Sequence, residues 1–505
     1  MQDIGTFVFT ALELLAFLFI FALGLAVLAI AVIYVADKTQ KTHTIRRNYP
    51  VIGRARYLFE HLGEFFRQYF FAMDREELPF NRAQRSWVYR AAKDLDNTIA
   101  FGSTRDLRPE GTVMFVNCAF PTLEEDAVPP QPVTYGPYCS HPYETASFFN
   151  ISGMSYGALS TPAVRALSLG AAKTGIWLNT GEGGLSPHHL EGGCDIVFQI
   201  GTAKYGVRDG VGHLSDEKLR EVASHDAVRM FELKLSQGAK PGKGGILPGG
   251  KVTEEIARIR NIPAGEDSIS PNRHPEIDSV EDLLDMIEHI RGVTGKPTGF
   301  KAVVGAYGWM DALCGEIHRR GIESAPDFIV VDGCDGGTGA APMALMDDVG
   351  LPLQESLPLV ADLLTRHGLE KRIRLGCSGK RVNPTEVAWA LCIGADFVVS
   401  ARGFMFALGC IQALQCNRNT CPTGVTTHNP KLQRGLVPEN KAERVAQYAR
   451  NIMKEVGIIA HSCGVPEPRR LRRHHARVVI DGGRSESLAE LHPAPAPTAE
   501  SARRT

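Results

Sequence analysis

The sequence predicts an α/β chain: a (β/α)8 TIM barrel with an N-terminal transmembrane helix and a helical extension. Three observations predict it. Eight short, β-leaning apolar runs lie between residues 148 and 400, and helical patterns separate most of them. Strand–helix alternation implies a parallel sheet, and eight repeats imply that the sheet closes. Each run also leads into a polar or glycine-rich segment, as expected where strands end and βα loops gather at one mouth. Ahead of all this stands an unbroken apolar stretch, Leu14–Val35 (LLAFLFIFALGLAVLAIAVIYV).

That stretch is long enough to cross a hydrocarbon core of about 30 Å. Lys38, Lys41, Arg46 and Arg47 follow it, while Asp3 and Glu13 precede it. The positive-inside rule then leaves the body of the chain in the cytoplasm. A cleaved signal peptide would need a basic leader and a shorter apolar core. Residues 1–36 are therefore expected to be a retained, single-pass membrane anchor, with Glu13 at the interface. Residues 37–145 form a connecting region. Within it RARYLFEHLGEFFRQYFF has the apolar spacing of a helix that packs on the body or lies on a membrane surface. The barrel takes residues 146–460 and a C-terminal extension takes 461–484. Residues 485–505, rich in Ala and Pro, read as a disordered tail.

The strands are expected at Phe148–Ile151, Trp177–Asn179, Val197–Ile200, Phe231–Leu235, Phe300–Val304, Phe328–Val331, Ile373–Leu375 and Phe397–Ser400. Helices are expected at Pro162–Lys173, Val280–Arg291, Met310–Arg320, Gln354–His367 and Pro384–Ile393. An open doubly wound sheet is the alternative, and the motifs argue against it. GMSYGALS (153–160) follows the first strand, NTGEGG (179–184) the second, QIGTAKYG (199–206) the third and KLSQGAKPGKGG (234–245) the fourth. Lys301 lies on the fifth, DGCDGGTGAAP (332–342) follows the sixth, CSGKR (377–381) the seventh and SARG (400–403) the eighth.

Composition sets limits on partners. Acidic and basic residues balance, 56 against 55, which leaves no electrostatic footprint for nucleic acid. The 51 glycines cluster where backbone must approach a ligand closely. Eleven cysteines are too sparse for a disulfide scaffold and suit a reducing compartment. Three of them form C-x5-C-x4-C: Cys410, Cys416 and Cys421, followed by Pro422. Three thiolates on one short loop suit a cluster with three cysteine ligands. Zinc would want a fourth ligand, for which His428 is the nearest candidate.

The order and spacing of GEGG, QGAKPG-x-GG-x-LP, DGGTGA-x-P and GC-x5-C-x3-TCP-x-GV resemble the FMN-binding synthase domain of glutamate synthase, over roughly residues 145 to 460. The chain looks like the smaller, stand-alone members of that family. The resemblance implies FMN and a 3Fe-4S cluster, with cluster ligands at Cys410, Cys416 and Cys421. It sets the flavin ring beside Met154, Ser155 and Tyr156, with Gln199 and Lys204 near it; the family usually has Arg at the latter position. Lys301 is a second cation for the ring. A barrel phosphate site uses backbone N–H groups of the last loops, here Gly336, Gly337, Ser378, Gly379, Arg402 and Gly403. The resemblance further implies that Lys234, Gln237 and Lys240 hold a 2-oxo acid and its imino intermediate, and that Glu182 stands near the ammonia entry as a proton acceptor.

Two departures bear on substrate. Lys243 stands where the family has Glu, and Ile246 where it has Gln. The second removes a polar contact to substrate, so a 2-oxo acid other than 2-oxoglutarate is an alternative. The larger enzymes begin with a cysteine nucleophile that releases ammonia from glutamine. Here a membrane helix takes that place, so free ammonia, an amine or a separate protein is expected to supply nitrogen. Electrons are expected from an external donor: a ferredoxin-like protein, a reductase subunit or a quinol. The expected function is reductive amination of a 2-oxo acid, or its reverse. The alternatives are an FMN-dependent 2-hydroxy acid oxidoreductase using His188 or His189 as base, or an inactive membrane-anchored binding protein.

Overall fold

A computed structural model describes residues 2–495, which divide into two compact units, one ending at Ala83 and the other starting at Gln84. In the first unit, helix Gln2–Thr39 contains a stretch, Gly5–Thr39, long and apolar enough to cross a membrane, with an 18-residue window whose mean hydropathy is 3.0. It runs past the expected 14–35 at both ends. Asp37 stops this helix from standing alone. Its carboxylate accepts from the Val51 amide at 3.0 Å and from the Arg54 guanidinium at 2.8 Å, which ties down the start of helix Gly53–Phe66. That helix and the turn after it leave Leu58, Phe59, Tyr69, Phe70 and Phe71 exposed.

The second unit is the closed barrel. Its strands are β1 (Phe149–Ile151), β2 (Leu178–Asn179), β3 (Ile196–Ile200), β4 (Val228–Lys234), β5 (Thr298–Val303), β6 (Phe328–Asp332), β7 (Arg374–Ser378) and β8 (Phe397–Ser400). Each pairs in parallel with its sequence neighbours, and β8 closes on β1 through Val398↔Phe149. All eight expected strands are present, and the five expected helices lie at Thr161–Ala172, Val280–Thr294, Gly308–Arg320, Leu353–Arg366 and Pro384–Ile393. Capping explains their starts: the Ser160 hydroxyl accepts from the Ala163 amide, and Ser279 forms a capping box with Asp282.

The barrel is plugged at the strands' N-terminal ends. A hairpin of Val133–Tyr135 and Tyr143–Thr145 inserts Tyr135, which is fully buried against Trp177, Phe328 and Phe397 with edge-on ring contacts. Chemistry is thereby left to the opposite end, where the βα loops emerge. Helix Pro438–Ser462 packs along Thr161–Ala172 on the outside. A three-stranded sheet joins Val113–Phe115 to Ala476–Asp481 and Arg484–Ser487.

That sheet corrects the disordered tail expected from Ser485. Ser485–Ser487 pair with Arg477–Val479, and Ser487 with Glu490 caps a short helix, Leu488–Leu491. Composition alone missed these ladder bonds, which form a hairpin with the strand just before them across Gly482 and Gly483. Residues 496–505 of the expected tail lie outside the described residues.

Candidate active site at the barrel mouth

The loops after β2 and β4 bring three of the four expected substrate residues into direct contact. Lys234, the last residue of β4, pairs with Glu182 at 3.1 Å and donates to the Gln237 side-chain oxygen. Gln237 in turn donates to Thr338 at 2.7 Å, reaching the loop after β6. Lys240, also buried, lies in the electrostatic field of Glu182 and Lys234. Burial pushes the Lys240 ammonium down to about 8 against the opposing pull of Glu182. Burial by itself would raise the Glu182 carboxyl; the charges of Lys234 and Lys240 outweigh it and hold the carboxyl below its ordinary value. A Cβ on Gly245 would stand 2.5 Å from a Glu182 oxygen, so only glycine leaves room for this carboxylate.

Beneath this shelf lies a polar floor that sequence reading missed. Glu232 on β4 is buried and accepts from Asn179 at 2.9 Å and from Gln199 at 2.5 Å. The register explains the meeting, since Gln199 and Glu232 are paired across β3 and β4. Gln199, expected at the flavin ring, is thus fixed from below. Met154 and Ser155 are half-buried and Tyr156 buried, on the loop after β1. The Tyr156 hydroxyl bonds Glu255, which also meets His188 at 3.0 Å. Lys204 is buried and engaged by Glu276 at 2.8 Å.

Arg260 is a second residue absent from the sequence expectations. It sits at the end of helix Glu254–Arg260, is 4% exposed and donates to the Tyr156 carbonyl at 3.1 Å and toward Ser155 at 3.4 Å. Burial lowers its pKa, while the Tyr205 and Glu182 charges oppose the shift. Only its long-range placement reveals it, because Arg260 lies some distance along the chain from every motif.

The loops after β6, β7 and β8 also converge. Lys301 on β5 pairs with Asp332 at 3.2 Å, and the Ser378 hydroxyl donates to the same carboxylate at 2.6 Å. Arg402 donates to the Asp335 carbonyl at 3.0 Å, and a Cβ on Gly337 would lie 2.8 Å from its guanidinium. Gly336 stands against Asp332 and Gly238, while Gly379 stands against the Gly333 amide. These contacts leave bare backbone beside a half-buried guanidinium, a cradle whose chemistry fits a phosphate. Gly403 has a different neighbour: the Tyr448 hydroxyl lies over it and leaves no room for a side chain.

The histidines of the hydroxy-acid alternative are engaged elsewhere. The His189 ring bonds the Ser186 hydroxyl at 2.8 Å within a helix cap, and burial lowers it to about 3. His188 meets Glu255.

Cys410, Cys416 and Cys421 lie on a loop sewn to the mouth. Ser160 donates its amide to the Val425 carbonyl at 2.9 Å, His428 bonds the Gly157 carbonyl at 2.9 Å, and Tyr89 donates to the Cys410 carbonyl at 2.6 Å. His428 is therefore turned to the loop after β1. Burial raises the Cys410 thiol to about 12 and also raises Cys416; at Cys421 burial is outweighed by hydrogen bonds from Thr423 and Thr426, and the thiol is lowered. The three thiols feel one another's charge. Among the described residues, no three His, Cys, Asp or Glu side chains are arranged to hold a single metal ion. As a donor set, three thiols on one loop fit a multinuclear group bound by three thiolates.

Comparison with known proteins bears on this site. A family model described as the conserved region in glutamate synthase matches residues 125–466. The glutamate synthase large subunit-like protein YerD of Bacillus subtilis is 39% identical over 503 residues, covering 92% of this chain and 95% of that one. An archaeal-type glutamate synthase [NADPH] of Thermotoga neapolitana is 35% identical over 316 residues, 62% of this chain and 59% of that relative.

Proposed function

The chain belongs to the glutamate synthase family and is an oxidoreductase of that type; on that premise we propose that it aminates a 2-oxo acid reductively, or runs the reverse reaction, using FMN and a 3Fe-4S cluster. The observation that carries the proposal is the Glu182–Lys234 ion pair, with Gln237 bonded to Lys234 and Lys240 in the same field, at the mouth of a parallel barrel. FMN, when bound, supplies hydride transfer to the imino carbon, and the cluster supplies electrons to the flavin.

This chain's residues do the rest. Lys234, Lys240 and Arg260 offer cations to carboxylates of an acidic substrate. Gln237 donates to the 2-oxo or 2-imino group. Glu182, kept ionised by the two lysines, accepts a proton from the incoming nitrogen. Glu232 and Asn179 hold Gln199 in position at the flavin ring. Met154, Ser155 and Tyr156 form one wall of the ring site, and Lys204 and Lys301 bring cations to it. Gly336, Gly337, Ser378, Gly379, Arg402 and Gly403 seat the phosphate. Cys410, Cys416 and Cys421 ligate the cluster.

Ile246 lies beside Gly245 and offers no hydrogen bond, which favours a substrate less polar there than 2-oxoglutarate. Electrons come from an external donor, whether a ferredoxin-like protein, a reductase subunit or a quinol. The apolar helix Gly5–Thr39 anchors the protein in a membrane, with Lys38, Lys41, Arg46 and Arg47 on the cytoplasmic side. The test is turnover of detergent-extracted full-length protein, under anaerobic conditions, with a panel of 2-oxo acids, ammonia and a reduced dye. Amino-acid formation that K234M abolishes supports the reading. Oxidation of 2-hydroxy acids without amino-acid turnover contradicts it.

A further inference from the structure

Among the described residues, five lysines are buried: Lys204, Lys234, Lys240, Lys251 and Lys301. Three have carboxylate partners, at Glu276, Glu182 and Asp332, and Lys240 lies in the field of Glu182. Lys251 is the exception. It closes the short turn Gly249–Lys251, is 2% exposed, and forms no ion pair. Its ammonium donates to two carbonyls, Ala158 at 2.8 Å and Cys416 at 3.2 Å. Ala158 belongs to the loop after β1, which carries Met154–Tyr156, and Cys416 to the cysteine loop.

A buried ammonium with only neutral acceptors is an expensive arrangement, and a fold keeps it where an anion completes it. The contacts point to the cysteine loop as the place of that anion, because one of the two carbonyls belongs to Cys416 itself. Arg260 lies near enough to repel the ammonium. Substrate carboxylates do not answer the need, because Glu182, Lys234 and Lys240 form their own group and none of them acts on Lys251.

We propose that Lys251 is the fixed counter-cation of the cysteine-loop cluster and the strut that holds this loop against the flavin-side loop after β1. The proposal rests on the reading that Cys410, Cys416 and Cys421 ligate an iron–sulfur cluster. A cluster with three thiolate ligands carries net negative charge, and that charge grows by one when it accepts an electron from the external donor. No covalent bond forms or breaks in this step, and no proton leaves Lys251. A cation at fixed distance favours the more negative, reduced state, so Lys251 raises the cluster potential. Lys251 is a positioning residue in this scheme, acting through the Ala158 and Cys416 carbonyls.

The experiment is a reductive titration of full-length, detergent-extracted protein, followed by EPR of the oxidised cluster, with iron and sulfide content measured alongside. Wild type, K251M, K251Q and K251R are compared. K251Q keeps a hydrogen-bond donor without charge, and K251R keeps the charge. The expected result is a lower midpoint potential in K251M and K251Q, with K251R near wild type. If K251M does not fold, K251Q against K251R carries the comparison. Equal potentials in all variants of a cluster-loaded protein overturn the role of Lys251 and leave the cluster standing. A wild-type protein prepared anaerobically without iron or sulfide overturns the cluster reading and this proposal with it.

Discussion

On the shelf after β4, Lys234 meets a carboxylate, Glu182, at 3.1 Å; between the cysteine loop and the loop after β1, Lys251 meets only carbonyl oxygens, at 2.8 and 3.2 Å. Both ammonium groups are buried, and both sit at the same mouth. On the shelf the protein supplies a carboxylate to Lys234, so that ion pair is part of the fold. At the cysteine loop no carboxylate pairs with Lys251, and in the scheme proposed above the cluster supplies the negative charge. Two neighbouring lysines can thus serve opposite purposes, and the presence or absence of a protein carboxylate separates them.

The sharpest break of this comparison is at the thiols. C410S, C416S and C421S are each expected to lose iron while retaining flavin, with dye-driven turnover falling to background; iron analysis and absorption spectra check it. Next in size is stability. K234M leaves the half-buried Glu182 with only the field of Lys240 and should cost about 1–3 kcal/mol in denaturant unfolding. K251M in iron-free protein removes an uncompensated charge and should leave stability within about 1 kcal/mol of wild type or above it. Equal losses in both variants would erase the distinction.

A smaller effect is expected with pH. In the proposed function Lys240 holds a substrate carboxylate only when protonated, and burial pushes its ammonium down to about 8. Affinity for a dicarboxylate should therefore hold below that pH and fall as pH rises through it, by about tenfold per unit. K240R, which stays charged, should flatten the fall. The smallest effect belongs to Y89F, which deletes the 2.6 Å bond to the Cys410 carbonyl and should cost about 0.5–1.5 kcal/mol, read as faster iron loss on warming.

Much of the barrel was legible because its signals are local. Alternation of apolar runs and helices located all eight strands, and the loop motifs fell at their C-terminal ends. The meeting of Glu182, Lys234 and Gln237 was legible because two of them share one loop and GEGG marks the third. Pairings made across long sequence distances were not legible. Glu232 looks like an ordinary strand residue until the register sets it beside Gln199. Arg260 and Lys251 lie outside the motifs, and only the folded loops bring them to Tyr156 and Cys416. The plug at Tyr135 was hidden for the same reason, since its partners Trp177, Phe328 and Phe397 are distant in sequence, whereas the strand at Arg484–Ser487 is a local hairpin that composition overlooked.

The most direct test of the central claim, that one barrel mouth joins a flavin to a three-thiolate cluster, is cofactor quantitation in protein extracted with mild detergent under anaerobic conditions. The expected result is one FMN with about three iron atoms per chain, and loss of the iron but not the flavin in C416S. Colourless protein without flavin, or iron unchanged when Cys410, Cys416 and Cys421 are all replaced, would contradict it.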